Sequence, residues 1–219
     1  MRKKIPLHTD AIQAPGALAI DVDALGIDLL SLSGHKFRGP KGTGILYMRR
    51  GTPFVTQLSG GGQERQRRAG TENVAGIVGQ AEALRLAEEG RDEYTSACLT
   101  LRESIIGGVL ERVEDAQLNG HTEERLANNV NISFRGARGD DLVAALDKAG
   151  IAASAGAACG SSTWEPSHVL LAMGLSMAEA VGSLRLSVSP DNTMDDVNEL
   201  LRVLPGMVSE LRRPVSSAH

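Results

Sequence analysis

The chain has 219 residues, of which 42% are hydrophobic and 23% charged, the balance of a folded globular protein with a real core. Its 23 Lys and Arg against 27 Asp and Glu leave a net charge of −4, which offers no field for a phosphate backbone, and its scattered aromatics make no stacking platform. Nucleic-acid binding is not expected, no apolar run approaches the ~20 residues of a membrane span, and the basic start lacks a signal peptide's apolar centre, so a cytoplasmic location is expected.

In chain order, the apolar runs at 5–8, 29–32 and 44–48 are short and flanked by Gly, Pro and Asp, which predicts buried strands. Glycine-rich stretches at 34–44 and 60–62 lie among them. From Val74 the period lengthens, and Val74, Ile77, Val78, Ala81, Leu84 and Ala87 draw one apolar stripe on a long helix. Val130, Ile132 and Phe134 alternate as a strand with one buried face. Leu142, Val143, Leu146 and Ala149 then form a helix stopped by Gly150. The run 154–162 holds only Ser, Ala, Gly and one Cys, and is expected to be a loop. Leu184, Leu186 and Val188 alternate again, with Arg185 on the polar face. Thr193 and Asp196 form a capping box for a last helix, which Pro205 is expected to kink or end. The composition shift divides the chain into an α/β unit over 1–92 and a smaller α/β unit over 93–219.

Lys36 stands out first. In Ser33-Gly34-His35-Lys36-Phe37 its amine follows a buried strand, among small residues and an imidazole, where a lysine can shed its proton and condense with a carbonyl. A lone loop lysine is more often only a surface charge. Two phosphate-binding motifs fail here, because the 34–39 glycine interval is followed by Pro40 rather than Lys and Ser/Thr, and Gly60-Gly61-Gly62 lacks the spacing of a dinucleotide fingerprint. Asp10, at the end of the first strand, could cap a turn or hold a pyridine nitrogen protonated. Thr71 reads as the N-cap of the long helix, a place that also suits a phosphate. Cys159, in Ala157-Ala158-Cys159-Gly160, has nothing large to pack against and reads as an exposed nucleophile. Cys98 reads as an inert helix residue, and His121 and His168 as structural. Neither a disulfide framework nor a metal site is expected from the cysteines.

Taken together, Asp10-Ala11-x-Gln13, Ser33-Gly34-His35-Lys36, Gly60-Gly61-Gly62-Gln63-Glu64 leading to Gly70-Thr71, and the run from Ser154 to Cys159 resemble the cysteine desulfurases of the NifS/IscS type, within the class V aminotransferases. The resemblance covers essentially the whole chain. It implies a pyridoxal phosphate enzyme of fold type I, with part of a large cofactor domain, a small C-terminal domain and a homodimeric site. By the same resemblance Lys36 would hold the cofactor and move the substrate α-proton, Asp10 would face the pyridine nitrogen and Gln13 the ring hydroxyl. Ser33 and His35 would hold the phosphate, and Thr71 the phosphate of a neighbouring subunit. Arg185 would grip the substrate carboxylate, and Cys159 would take sulfur from L-cysteine as a persulfide, leaving L-alanine. An iron–sulfur scaffold or another sulfur acceptor is the implied partner.

The chain begins at the strand carrying Asp10, so the upstream half of such a cofactor domain, with its phosphate loop, ring-stacking histidine and an asparagine near the substrate, has no counterpart. The expectation is a truncated or split enzyme that is poorly soluble and weakly active alone, or needs a complementary N-terminal chain. Two other readings accompany it: an inactive module that docks a scaffold, and a related aminotransferase or selenocysteine lyase.

Overall fold

The computed structural model describes residues 5–155 and 166–212, and the chain divides into two compact units, Met1–Tyr94 and Thr95–His219. In the first, β1 (His8–Asp10), β2 (Leu29–Ser33) and β3 (Gly44–Met48) form a sheet in that order, with β1 parallel and β3 antiparallel to β2. The alternation in β2 decides its faces. Leu30 and Leu32 are buried, and Ser31 and Ser33 take the other side. The first strand forms later than expected, because Leu7 spends its N–H on the Asp28 carboxylate and pairing begins only where His8 meets Leu29.

Helix α1 (Val74–Glu89) covers the apolar face, setting Ala83, Leu84 and Ala87 against a core of Ile27, Leu30, Leu32 and Phe37. This corrects the expected stripe. Val74, Ile77 and Val78 are exposed, and the inward face near the helix start is made instead by Gly76 and Gln80, which are buried. The cap is also corrected, since Asn73, not Thr71, accepts from the Gly76 N–H at 3.0 Å. Ahead of α1, β4 (Gly62–Gln63) and β5 (Arg68–Ala69) form a hairpin. Its loop carries three consecutive non-glycine residues with positive φ, Glu64, Arg65 and Gln66.

Helix α2 (Arg91–Arg112) crosses the division in its first turn. The second unit is built on the antiparallel sheet β6 (Ala116–Leu118), β7 (Asn129–Phe134) and β8 (Ser183–Ser187). Val130, Ile132, Phe134, Leu184 and Leu186 are buried on one side of it. Helix α3 (Gly139–Lys148) buries Leu142 and Leu146 and stops before Gly150, whose φ of 78° suits the turn that follows. The short helices α4 (His168–Ala172) and α5 (Met177–Val181) precede β8. The last helix, α6 (Met194–Leu211), starts with the Thr193/Asp196 capping box.

Pro205 lies inside α6 and does not end it. The helix continues because Leu204 and Val208 on its inner face are almost fully buried, and that burial outweighs one lost backbone hydrogen bond. α2 and α6 approach closely at Gly108, where an added Cβ would collide with Leu201. Cys98 is fully buried in α2 with its Sγ 3.9 Å from the Val188 carbonyl, which agrees with a packing role.

Candidate functional site

Of the described residues singled out by sequence, most fall on two surfaces, one in each unit, while Thr71 stands apart. In the first unit the surface is the sheet face that α1 leaves uncovered. A parallel register sets Asp10 opposite Ser31 and His8 opposite Leu29, so His8, Asp10, Ser31 and Ser33 share that face. His8 Nε2 lies 2.8 Å from Ser31 Oγ. Asp10 Oδ1 accepts from the Ile12 N–H at 3.0 Å, the turn-capping bond expected of it, and Oδ2 has no partner among the described residues. Gln13 follows on that turn and is exposed.

β2 ends at Ser33, and the chain enters a 3-10 turn, Gly34–Phe37, that displays Lys36. Phe37 is buried and fixes the turn to the core, and Arg38, at φ 65°, reverses the chain. The turn is backed tightly. A Cβ on Gly34 would collide with Thr43 Oγ1 and come within 3.0 Å of Gln80 Oε1, and one on Gly39 would meet Ala83 of α1 at 3.3 Å. Only glycine admits this approach, so the glycines around the lysine serve packing rather than looseness. Ser33 Oγ and His35 Nδ1 are 2.9 Å apart, and Lys36 is exposed with no carboxylate partner among the described residues. The face thus offers an amine, a carboxylate oxygen, a hydroxyl and an imidazole from one strand pair and the turn that ends it. Thr71 lies on a separate loop between β5 and α1, and no hydrogen bond joins it to the lysine turn among the described residues.

In the second unit Arg185 stands at the centre of β8, half-buried, on the side opposite Leu184 and Leu186. Its backbone exchanges both hydrogen bonds with Ser154, at 2.7 and 3.0 Å. Across β7 it faces Asn131. Cys159 lies outside the described residues, as does most of the small-residue run around it.

Sequence reasoning passed over a polar network beside Arg185. Asn119, buried, donates through Nδ2 to Asn131 Oδ1 at 2.6 Å and to Ser133 Oγ at 2.8 Å, and Ser133 Oγ donates to the Glu179 carbonyl at 2.8 Å. The signal was there. Asn129, Asn131 and Ser133 alternate with Val130, Ile132 and Phe134, a polar row as regular as the apolar one. His121, read as structural, accepts the N–H groups of Glu123 and Glu124 through Nδ1. Among the described residues no group of three or more His, Cys, Asp or Glu is placed to hold a metal, and no helix is long and apolar enough to cross a membrane.

Comparison with known proteins places these two surfaces in context. The family described as aminotransferase class-V matches residues 1–200. The cysteine desulfurase IscS of Methanosarcina thermophila is 51% identical over 209 residues, which are 95% of this chain and 52% of that protein. The IscS-like cysteine desulfurase of Mycobacterium tuberculosis is 45% identical over 215 residues, 98% of this chain and 55% of that protein. Among solved structures, a NifS-like protein matches with a TM-score of 0.84 at 35% identity, over 95% of this chain and 54% of its own. A NifS-like protein from Rickettsia africae matches with a TM-score of 0.84 at 28% identity, over 93% of this chain and 54% of its own. The chain therefore spans about half the length of the curated relatives it matches. The mixed α/β architecture of fold type I, expected from the motifs, agrees with these structures.

Proposed function

The chain belongs to the class-V aminotransferase family, and from that premise we propose that it carries the lysine- and thiol-bearing part of a cysteine desulfurase. The reaction is the transfer of the sulfur of L-cysteine to the Cys159 thiol, giving L-alanine and an enzyme persulfide. The balance closes without an external oxidant or reductant: the substrate C–S bond breaks, an S–S bond forms on Cys159, and a proton replaces sulfur on the substrate carbon. Pyridoxal phosphate, when bound, supplies the electron sink that loosens the substrate α-proton.

The observation that carries this reading is the shared face of β1, β2 and the lysine turn. Asp10 has one carboxylate oxygen tied to the Ile12 N–H and one without a partner among the described residues, which suits a pyridinium nitrogen. Ser33 and His35 form a hydroxyl–imidazole pair suited to a phosphate. Lys36 sits on a turn held by buried Phe37, so its amine is presented from a fixed base. The donor set fits the cofactor. In this reading Lys36 holds it and relays the α-proton, Gln13 meets the ring hydroxyl, and Thr71 serves the phosphate of a neighbouring subunit. Arg185 binds the substrate carboxylate through the two-pronged geometry of its guanidinium. A second copy, or a chain supplying the upstream half, completes the site, and a cytoplasmic iron–sulfur scaffold or another acceptor takes the sulfur.

Titration with pyridoxal phosphate, followed by absorbance, tests the reading. A visible band that Lys36→Ala abolishes, together with sulfide release that Cys159→Ala abolishes, is the expected outcome. A band that survives in Lys36→Ala, or turnover that survives in Cys159→Ala, overturns it. Size-exclusion chromatography, with and without a candidate upstream half, reports whether the chain needs that partner to stay dispersed.

A further inference from the structure

We infer that Asn131 is a second carboxylate-binding residue, forming with Arg185 a two-donor cradle on the polar face of the β6-β7-β8 sheet. The inference rests on the reading of Arg185 given above. Backbone hydrogen bonding fixes the pairing first. Arg185 commits both its N–H and its carbonyl to Ser154, so it has none to exchange with its cross-strand neighbour Asn131. The two therefore form a non-hydrogen-bonded antiparallel pair, in which the Cα atoms approach to about 4.5 Å and the side chains lie closest.

Proton inventory fixes the orientation of the Asn131 amide. Ser133 Oγ has a single hydrogen and gives it to the Glu179 carbonyl, so toward Asn119 it can only accept. Asn119 must then turn its NH2 group to the sheet, and that group's second hydrogen goes to Asn131 Oδ1. The oxygen of Asn131 is thereby taken, and its NH2 keeps both hydrogens with no acceptor among the described residues. The arrangement has a cost. Asn119 Oδ1 is left buried with no partner, a desolvation penalty that a freely chosen amide orientation would avoid.

Beside this NH2 stands a half-buried guanidinium that no carboxylate pairs among the described residues. A cation and an amide donor on adjacent positions of two strands match the two oxygens of a carboxylate. They offer nothing to the NH2 of a carboxamide, whose own hydrogens would face them. Asn131 thus adds discrimination for the free acid over its amide and keeps the guanidinium in register.

The test is a titration of the intact chain with L-alanine and, separately, with L-alaninamide, observing the Arg185 Nε–H and the Asn131 side-chain NH2 by 1H–15N NMR. Both signals are expected to shift along one saturation curve with L-alanine and to stay still with L-alaninamide. Asn131→Ala weakens L-alanine binding about tenfold, the size of one hydrogen bond to a charged group. Asn131→Asp keeps the acceptor for Asn119, and so the fold, but places a competing carboxylate against Arg185 and weakens binding at least as much. In a sulfide-release assay both variants raise KM with little change in kcat. Unchanged affinity at Arg185 in both variants overturns the role of Asn131 and leaves the desulfurase reading standing. A silent Arg185 in the unsubstituted chain overturns the cradle together with the substrate-binding role of that arginine, whereas loss of the Lys36-dependent absorbance band bears on the desulfurase reading alone.

Discussion

The sheet of the second unit has its apolar side closed off, and among the described residues the most deeply buried large side chains, Phe134, Ile132, Leu142, Leu146, Leu184 and Leu204 among them, all belong to that unit. The sheet of the first unit is closed on one face by α1, while Ile5, Leu18, Leu46, Val55, Val74 and Val78 stay exposed around it, and the outer edge of β1 pairs with no strand among the described residues. The first unit carries the lysine turn; the second carries the arginine. The contrast teaches that presentation of a reactive group does not need a large core. A single anchored aromatic, Phe37, and a few glycine contacts hold the turn, while the arginine is held by strand pairing over a dense interior. Exposed apolar surface and an open strand edge are also features that proteins normally cover.

The largest test of this contrast is Phe134→Ala. Removing that buried ring should cost about 3–5 kcal/mol and collapse hydrogen-exchange protection in β7 and β8 while leaving β2 protected. Simultaneous loss of protection in β2 would mean that the two units unfold as one block. A smaller effect is expected from Gly34→Ala, since the added Cβ meets Thr43, Gln80 and the Pro40 carbonyl. Overpacking of this kind should cost about 1–3 kcal/mol, seen as a lower melting temperature and a weakened cofactor absorbance band. A variant with both unchanged would show that the turn is looser than its contacts imply.

The smallest test separates the caps of the two units by pH. Hydrogen bonds from the Thr193 N–H to Asp196 and from Ser176 to Glu179 hold both carboxyls below their ordinary range. A depressed folded value means that the stabilisation is present above the ordinary carboxylate value and is lost as pH falls through the folded one. Both boxes are in the second unit, whereas the Asn73 cap of the first carries no charge. The first unit has depressed carboxyls of its own, Asp21 and Glu82, so acidification from neutral pH should weaken both units, while Thr193→Ala should flatten the dependence of the second unit alone and Asn73→Ala should leave the acid dependence unchanged. Equal acid sensitivity in Asn73→Ala and Thr193→Ala would contradict the assignment.

Much of this was legible beforehand, for reasons that differ by element. β3, the capping box at Thr193 and the stop at Gly150 follow from local chemistry, and the structure has them where the residues suggested. α1 was also legible as a helix, but not its inward face, because Gly76 and Gln80 are not apolar and face inward only on account of the lysine turn packed against them. Pro205 misled for the same reason, since its local preference yields to the burial of Leu204 and Val208. The lysine turn could be picked out by its glycines and imidazole. The Asn119–Asn131–Ser133 network left only part of its trace, the polar alternation along β7, because Asn119 is brought to that row only by strand register.

The turn that displays Lys36 has one further consequence. With Phe37 sunk in the core one position beyond it and Ser33 locked in β2 before it, the amine works from a fixed post whose reach is the length of its own tether. Anything it engages has to be carried to that post. Shifting the lysine one place forward would displace the Phe37 anchor, and one place back would displace His35 from its contact with Ser33, so the address of the amine is as constrained as its identity.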